Sequence, residues 1–477
     1  MTRVAVKDFG PISRASIELK PLTVFIGPNN SGKSYLALAV YCLSRTLSSE
    51  PPLGRMRPFL GGWPGNRVLT EGLMKQTEAE IKKAWPNARS FPRGPIKVGE
   101  MSNGLREVVA KATGRLANAY SSDFGREVVR CYGTEIASLV RRGKALDAAQ
   151  LEVGLSQPTN GLVWEMQATD GRISTKRWED SGLSEREIDL RDQRLPLREL
   201  IEDPAYFLMR VMFELDILNS GELTRTTHYM PASRSGILLG HKTLAGLIVG
   251  QASRAWVDPI EIPRLPGVIT DLVQAILLLE RIRPPSDELE KVISFLEGDV
   301  TRGIVDMEQV AEYPEVFYKN EHGKFLLHQV SSMVSEVAPI VLYLKYLVRP
   351  GHLFIIEEPE SHIDAENQRK LARAIAMLIN ANVKVLITTH SDYFVNQLNN
   401  LLLLSRVKSQ SRSARRYRSS EVLEPSCVAA YLFDPSDNGS RMSKLEVTAE
   451  EGIPTFPFTD SHSALYNEAI ALEHAPS

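Results

Sequence analysis

The chain has 477 residues, 43% of them hydrophobic and 24% charged, with a formal net charge of −2. That length supports two or three cores, and the near-neutral balance excludes a globally basic nucleic-acid binder, leaving only local patches. Cys42, Cys131 and Cys427 are far apart, which excludes a disulfide framework or a C-x-x-C metal site and fits a reducing compartment. No apolar run is long enough to span a bilayer, and MTRVAVKDFGPI lacks the apolar core of a signal peptide. A cytoplasmic protein without a membrane segment is expected.

Short strands are expected around Val4 to Val6 and Ala15 to Leu19. Leu22 to Ile26 reads as a buried strand, and Gly27-Pro28-Asn29-Asn30-Ser31-Gly32-Lys33-Ser34 then fits G-x-x-x-x-G-K-[ST]. The following YLALAVYCL is apolar enough for a packed helix. Strand, glycine loop and helix in that order form a phosphate-binding loop for ATP or GTP. Gly27 and Gly32 let the backbone wrap tightly, so that successive N–H groups and the helix N-terminus face phosphate oxygens. Lys33 is expected on the β- and γ-phosphates and the Ser34 hydroxyl on Mg²⁺.

Residues 50 to 68, rich in Pro, Gly and Arg, read as an exposed excursion. Helical periodicity covers 70 to 85 and about 103 to 142, and residues 151 to 178 read as a small meander. Helices are expected again near 195 to 218 and 267 to 297, the latter interrupted by Pro284-Pro285. Strand-like alternation follows at 304 to 310, 315 to 319 and 324 to 330. Helix 335 to 348, strand 353 to 357, helix 365 to 380 and strand 383 to 388 give an α/β rhythm of buried parallel strands. Residues 406 to 420 form a basic, serine-rich loop, and a last α/β segment runs to about 472. The domains read as 1–48, one half of a nucleotide-binding head; 49–225, an insertion, mainly helical with the meander; 226–300, a return strand and helices; 301–400, the other half of the head; and 401–477, the basic loop and last segment.

Leu353-Phe354-Ile355-Ile356-Glu357-Glu358 ends an apolar strand in two carboxylates, the pattern a nucleotide hydrolase needs at the mouth of its sheet. Glu357 is expected to hold Mg²⁺ and Glu358 to orient and deprotonate the attacking water. His390 ends strand Val383 to Thr388, where ligands bind in open α/β sheets, and is placed to sense a γ-phosphate. Asp364 reads as the N-cap of the next helix. Ser331-Ser332 opens a helix, an anion-binding arrangement, although serines there are also ordinary caps. Pro339 implies that this helix starts late or is kinked.

The strand plus GPNNSGKS, the SSMVSE turn, IIEEPESHID and TTHSD, in that order, resemble the ABC-type ATPase heads. The branch they look most like contains RecF, the SMC proteins and the OLD-like (overcoming lysogenization defect) and related bacterial "AAA family" ATPases. The resemblance is specific over roughly 1 to 48 and 325 to 398. It implies an α/β head, a mixed, largely parallel sheet with a β-lobe, carrying a large, mainly helical insertion. It also implies ATP and Mg²⁺, with Lys33 and Ser34 on phosphate and metal, Glu357 on the metal, Glu358 as general base and His390 as the switch. Asp364 falls at the loop crossing a dimer interface, and Ser331-Ser332 where a signature turn meets the ATP of a partner subunit. A homodimer or higher homo-oligomer that hydrolyses ATP is therefore expected.

Met333 stands where such chains usually carry glycine and would crowd the N–H donors, so slow or conditional turnover is expected. The Q-loop glutamine is open among Gln150, Gln157 and Gln167. His228-Tyr229-Met230-Pro231-Ala232-Ser233-Arg234 looks like the strand-and-arginine element of the OLD-like group, with Arg234 either on phosphate or a partner or in a surface ion pair. The stretch after His390 is short for a TOPRIM nuclease domain. A separate effector protein is therefore expected, in DNA metabolism or anti-phage defence. Residues Arg406 to Arg418 carry six Lys or Arg and Tyr417, read either as a DNA contact or as a solvated loop. The second reading of the whole chain is an ATP-stabilised scaffold with little turnover.

Overall fold

The computed structural model describes residues 2–48, 68–86, 92, 94–141, 151–157, 161–189, 203–215, 223, 226–240, 265–277, 284–310, 313–408, 417–455, 464, 466–470 and 472. The chain forms two compact units, Met1–Glu18 with Cys42–Thr226, and Leu19–Tyr41 with Thr227–Ser477. No helix among the described residues is long and apolar enough to cross a membrane.

In the first unit Arg3–Phe9 pairs antiparallel with Ile12–Glu18 on one side and Glu152–Gln157 on the other. Leu162–Thr169 and Arg172–Asp180 extend the sheet as the expected meander. Inward residues alternate along these strands, as in Val153, Leu155 and Trp164, which are almost fully buried. Helix Asn103–Tyr132 starts at Ser102, whose hydroxyl accepts from Leu105 N, and stops at Gly133 in the left-handed region. Its Ser121 hydroxyl accepts from the Trp164 indole at 3.1 Å and pairs with Thr175 at 2.8 Å, so the buried indole keeps a partner. Gln157 and Gln167 lie in this unit, and Gln150 lies outside the described residues.

In the second unit the strands run, in spatial order, Ser440–Leu445, Val428–Asp434, Leu22–Ile26, Lys384–Thr389, Leu353–Glu357 and Thr227–Met230. All pair parallel except the first, which is antiparallel to its neighbour. Val24, Phe25, Ile26, Phe354, Ile355, Ile356, Leu386 and Ile387 are fully buried, as strands covered on both faces require. Register aligns Ile26 with Thr389 and Glu357 with Thr388, so the loop, the acidic pair and His390 leave the sheet at the same carboxyl edge. That edge is where open α/β sheets bind ligands. A separate antiparallel meander comprises Ile304–Val310, Tyr313–Asn320 and Gly323–Leu326.

Two expectations are corrected here. The last meander strand stops at Leu326, and a short turn, Leu327–Gln329, follows it instead of more strand. The next helix spans Ser332–Tyr346 and begins at its serines, with Pro339 inside it. Ser331 caps it by accepting from Val334 N at 3.4 Å, and buried Val337, Ile340, Val341 and Leu344 hold it past the bond that proline removes. Cys42, Cys131 and Cys427 are free thiols, the first two buried.

His228 and His352 meet inside this unit, Nε2 to Nδ1 at 3.0 Å. His352 Nδ1 also accepts from Arg349 N at 3.2 Å, so the His228 Nε2–H is the donor between the rings. Burial, then the neighbouring His352 and Arg349, push His228 down to about 3. A depressed base destabilises the fold in acid, because the unfolded chain takes the proton below about pH 6.5 and the native one does not. His228→Phe is expected to lose about 1 kcal/mol less apparent unfolding free energy than wild type between pH 7.5 and 5.5, read by urea titration. Equal losses in the two proteins would remove His228 as the acid-sensitive group.

Candidate nucleotide site

The loop after Leu22–Ile26 is shaped by backbone that few residues adopt. Gly27, Asn30 and Gly32 have φ of 151°, 60° and 95°. A Cβ on Gly27 would also stand 2.5 Å from the Phe433 carbonyl oxygen, so no other residue fits without movement. Helix Lys33–Leu47 begins directly after the loop. Lys33, 4% exposed, turns its ammonium back onto the carbonyls of Gly27 and Pro28, both at 2.7 Å. Burial lowers its pKa, opposed by Glu358, Glu360 and Glu357 in that order.

Pro28, Asn29, Asn30 and Ser34 are exposed around this lysine. The Ser31 hydroxyl is buried and has no hydrogen-bond partner among the described residues. A buried hydroxyl without a partner, inside a nest of left-handed residues at a helix N-terminus, fits an anionic phosphate chain.

Strand Leu353–Glu357 delivers the carboxylates. Glu357 Oε2 accepts from Ala232 N at 3.2 Å. Its other oxygen has no hydrogen bond among the described residues, which suits a metal ligand. Glu358 turns off the strand at φ 38°, an unusual conformation for a non-glycine residue. Its N–H is held by the Thr388 carbonyl at 3.0 Å and hydroxyl at 3.2 Å, and Ser361 Oγ donates to its Oε2 at 3.0 Å. His390 Nδ1 lies 3.7 Å from Glu358 Oε1. The His390 ring foremost, with Ser361 and Lys33, holds the Glu358 carboxyl below the usual range despite desolvation. Glu358 in return raises His390, with help from Glu360.

Glu360 was not singled out in the sequence, yet it is buried between these parts. Its Oε1 accepts from Thr389 Oγ1 at 2.7 Å and from His390 N at 2.9 Å. Three carboxylates within four positions after an apolar strand were the available signal.

Arg234 takes neither role expected of it, because its side chain is completely buried. Nη1 donates to the carbonyls of Glu357 and Glu358 at 3.0 and 3.3 Å, and Nη2 to that of Pro359 at 3.2 Å. Nε donates to the Glu336 carbonyl at 3.1 Å and lies 3.3 Å from its carboxylate. A guanidinium this buried and committed to backbone oxygens is not presented to phosphate or to a partner, and the ion pair it makes, with Glu336, is buried instead of on the surface. It clamps the turn that carries Glu358 to the helix that Ser331 opens.

Ser331 and Ser332 are exposed at that helix's N-terminus, with Met333 half-buried beside them. Among the described residues, no hydrogen bond or ion pair joins this turn to Lys33, the carboxylates or His390. Asp364 caps helix Ala365–Asn380, accepting from Glu366 N and Asn367 N at 3.1 Å. Hydrogen bonding from Asn367 lowers its pKa. Residues 409–416 of the basic loop lie outside the described residues. On its flanks Arg406 pairs with Glu450, and Arg418 pairs with Asp299 and lies over Phe295.

Two family models match the chain. One, described as "AAA domain, putative AbiEii toxin, Type IV TA system", covers residues 226–396, and so Arg234, the acidic strand and His390. The other, an AAA ATPase domain, covers residues 1–85 and so the glycine loop. No curated protein matches. Among solved structures the chain is similar to an SMC head bound to the C-winged-helix domain of ScpA, at 10% identity and TM-score 0.41 over 94% of this chain and 98% of that one. An SMC head with an extended coiled coil, bound to the C-terminal domain of ScpA derived from Pyrococcus furiosus, gives 11% and 0.40 over 98% and 100%. The SMC head domain from Thermotoga maritima gives 9% and 0.35 over 93% and 98%. Residues 1–85 and 226–396, which carry the glycine loop, the acidic strand and His390 on one edge of a mixed sheet, are thus similar to AAA-type ATPase domains.

Proposed function

We propose that this ATPase hydrolyses ATP between two copies of itself and uses the cycle as a switch, in the manner of the RecF, SMC and OLD-like branch. One observation carries the reading. Lys33, Glu357, Glu358 and His390 come together at the carboxyl edge of neighbouring parallel strands, with Glu358 held ionised beside His390. Lys33 leaves its loop carbonyls for the β- and γ-phosphates, while backbone N–H groups of Gly27 to Ser34 hold the chain of phosphates. Ser34 and Glu357 would hold Mg²⁺, which would supply positive charge against the phosphate oxygens. Glu358 orients the water and takes its proton, and His390 hydrogen-bonds the γ-phosphate and registers its loss.

The exposed Ser331-Ser332 turn is free of the protomer's own site, which supports its use on the ATP of a second copy. Asp364, exposed at the helix start after the acidic turn, belongs to the same dimer face. The family description naming a putative toxin of a toxin–antitoxin system supports a defence role; the separate effector and the cytoplasmic setting belong to the same reading and rest on the sequence alone. The six Lys or Arg between Arg406 and Arg418 support a contact with DNA backbone, although Arg406 and Arg418 are already ion-paired to Glu450 and Asp299. Met333, half-buried where the helix N-terminus would receive phosphate, favours the second reading, an ATP-held scaffold with little turnover.

The test is ATP binding and turnover by the purified chain with and without double-stranded DNA, with light scattering for size. Lys33→Ala is expected to lower turnover by about 10²-fold or more and to weaken ATP binding. An ATP-dependent dimer without turnover selects the scaffold, and binding unaffected by Lys33→Ala removes the site.

A further inference from the structure

The turn after the acidic strand buries a carboxylate where a cheaper acceptor would satisfy the backbone. Glu360 is 3% exposed, and one of its oxygens, Oε2, is buried with no hydrogen-bond partner among the described residues. Taking a carboxylate out of water costs several kcal/mol, and a buried oxygen without a partner adds to that. A threonine or a backbone carbonyl would tie two strand ends together at lower cost. Burial pushes the Glu360 carboxyl above its usual range, and the donors on its other oxygen, Oε1, oppose that shift and show what the charge is placed against. It accepts from the Thr389 hydroxyl and from the His390 peptide N–H, and it lies 3.5 Å from His390 Nδ1. Main chain and ring of one histidine are thus both referred to a single carboxylate. The turn itself is rigid at this point, with Ser361 N on the Glu358 carbonyl at 3.0 Å and Ile363 N on the Glu360 carbonyl at 3.1 Å.

We propose that Glu360 is the positioning residue of the switch histidine: it fixes the His390 backbone and orients its ring between two carboxylates, so that γ-phosphate loss moves the ring alone. This rests on the reading of His390 as the γ-phosphate sensor. The charged groups facing the ring are Glu358 and Glu360, which raise its pKa, and Lys33, which lowers it. Glu360→Gln keeps the length and an acceptor oxygen for Thr389 and His390 N but removes the charge from the ring. A residue that merely tied the strands together would tolerate this change.

Two readouts on the full chain separate the cases. The first is steady-state ATP turnover, where Glu360→Gln is expected to lower kcat about 10-fold or more with KM changed less than about threefold. In a His390→Gln background the same substitution is expected to add no further loss, because Glu360 acts through that ring. The second readout needs no turnover: site-resolved carbethoxylation of His390, read by mass spectrometry between pH 5.5 and 8.5. Only the neutral imidazole reacts, and its midpoint is expected to move to lower pH in Glu360→Gln. Thr389→Val, which removes one of the two donors holding Oε1, is expected to reduce kcat in the same direction but less. A Glu360→Gln protein with wild-type kcat and an unmoved His390 midpoint would overturn the proposal. A shifted midpoint in a chain that never hydrolyses ATP would instead sink the hydrolytic reading and leave the positioning intact.

Discussion

Glu358→Gln is expected to lower ATP turnover by about 10²–10⁴-fold while ATP binding persists, with the ATP-bound dimer accumulating. The amide has the shape of the carboxylate and keeps an oxygen for Ser361 Oγ, so the turn at φ 38° survives the change. What it loses is the ability to take a proton from water. In the native site His390 and Ser361 hold the carboxyl below its usual range, so it is ionised at neutral pH, as the proposed base must be. Steady-state hydrolysis with a fluorescent ATP analogue for binding reads both quantities. Turnover within a few-fold of wild type would show that water is activated elsewhere.

Arg234→Gln is expected to cost about 3–5 kcal/mol, the range for removing one partner of a buried ion pair. The loss has two parts. Glu336 keeps a buried carboxylate whose Oε2 has no neighbouring charge to replace the guanidinium, and the carbonyls of Glu357, Glu358 and Pro359 lose their donors together. Arg234→Lys is expected to recover little, because a point charge cannot span three carbonyls as a planar fork does. Thermal melting reads this as a fall on the order of 10 °C. A melting temperature close to wild type would mean that the clamp holds no net stability. Turnover is expected to fall with it, since the clamped turn presents Glu358.

The parts of the site that sequence made legible are those in which local pattern and chemistry coincide. Leu22 to Ile26 is short, apolar and followed by glycines at fixed spacing, so strand and loop were both readable. The acidic strand and His390 were readable because apolar runs ending in such residues mark strand ends at a carboxyl edge. Ser102 and Gly133 bracket the long helix between them as cap and stop signals do. Other features depend on partners that no local pattern names. Arg234 sat in a recognisable element, but its burial and its carbonyl partners at Glu357, Glu358 and Pro359 follow from where the acidic strand packs. Glu360 looked like one more acid in a polar turn, and only the fold places it under Thr389 and His390. The helix at Ser332 was placed late because Pro339 argued against helix, while the packing of Ile340 and Leu344 outweighs one missing bond.

The lysine that closes on its own loop has a kinetic consequence. Lys33 Nζ donates to the Gly27 and Pro28 carbonyls at 2.7 Å, so the loop's curvature is tied to its own lysine. Arriving phosphates exchange two neutral acceptors for charged ones on the same ammonium, with little chain ordering to accompany capture. On the proposed function, capture then depends on this exchange of partners at one ammonium. Residence time becomes the quantity that mutations in this loop change.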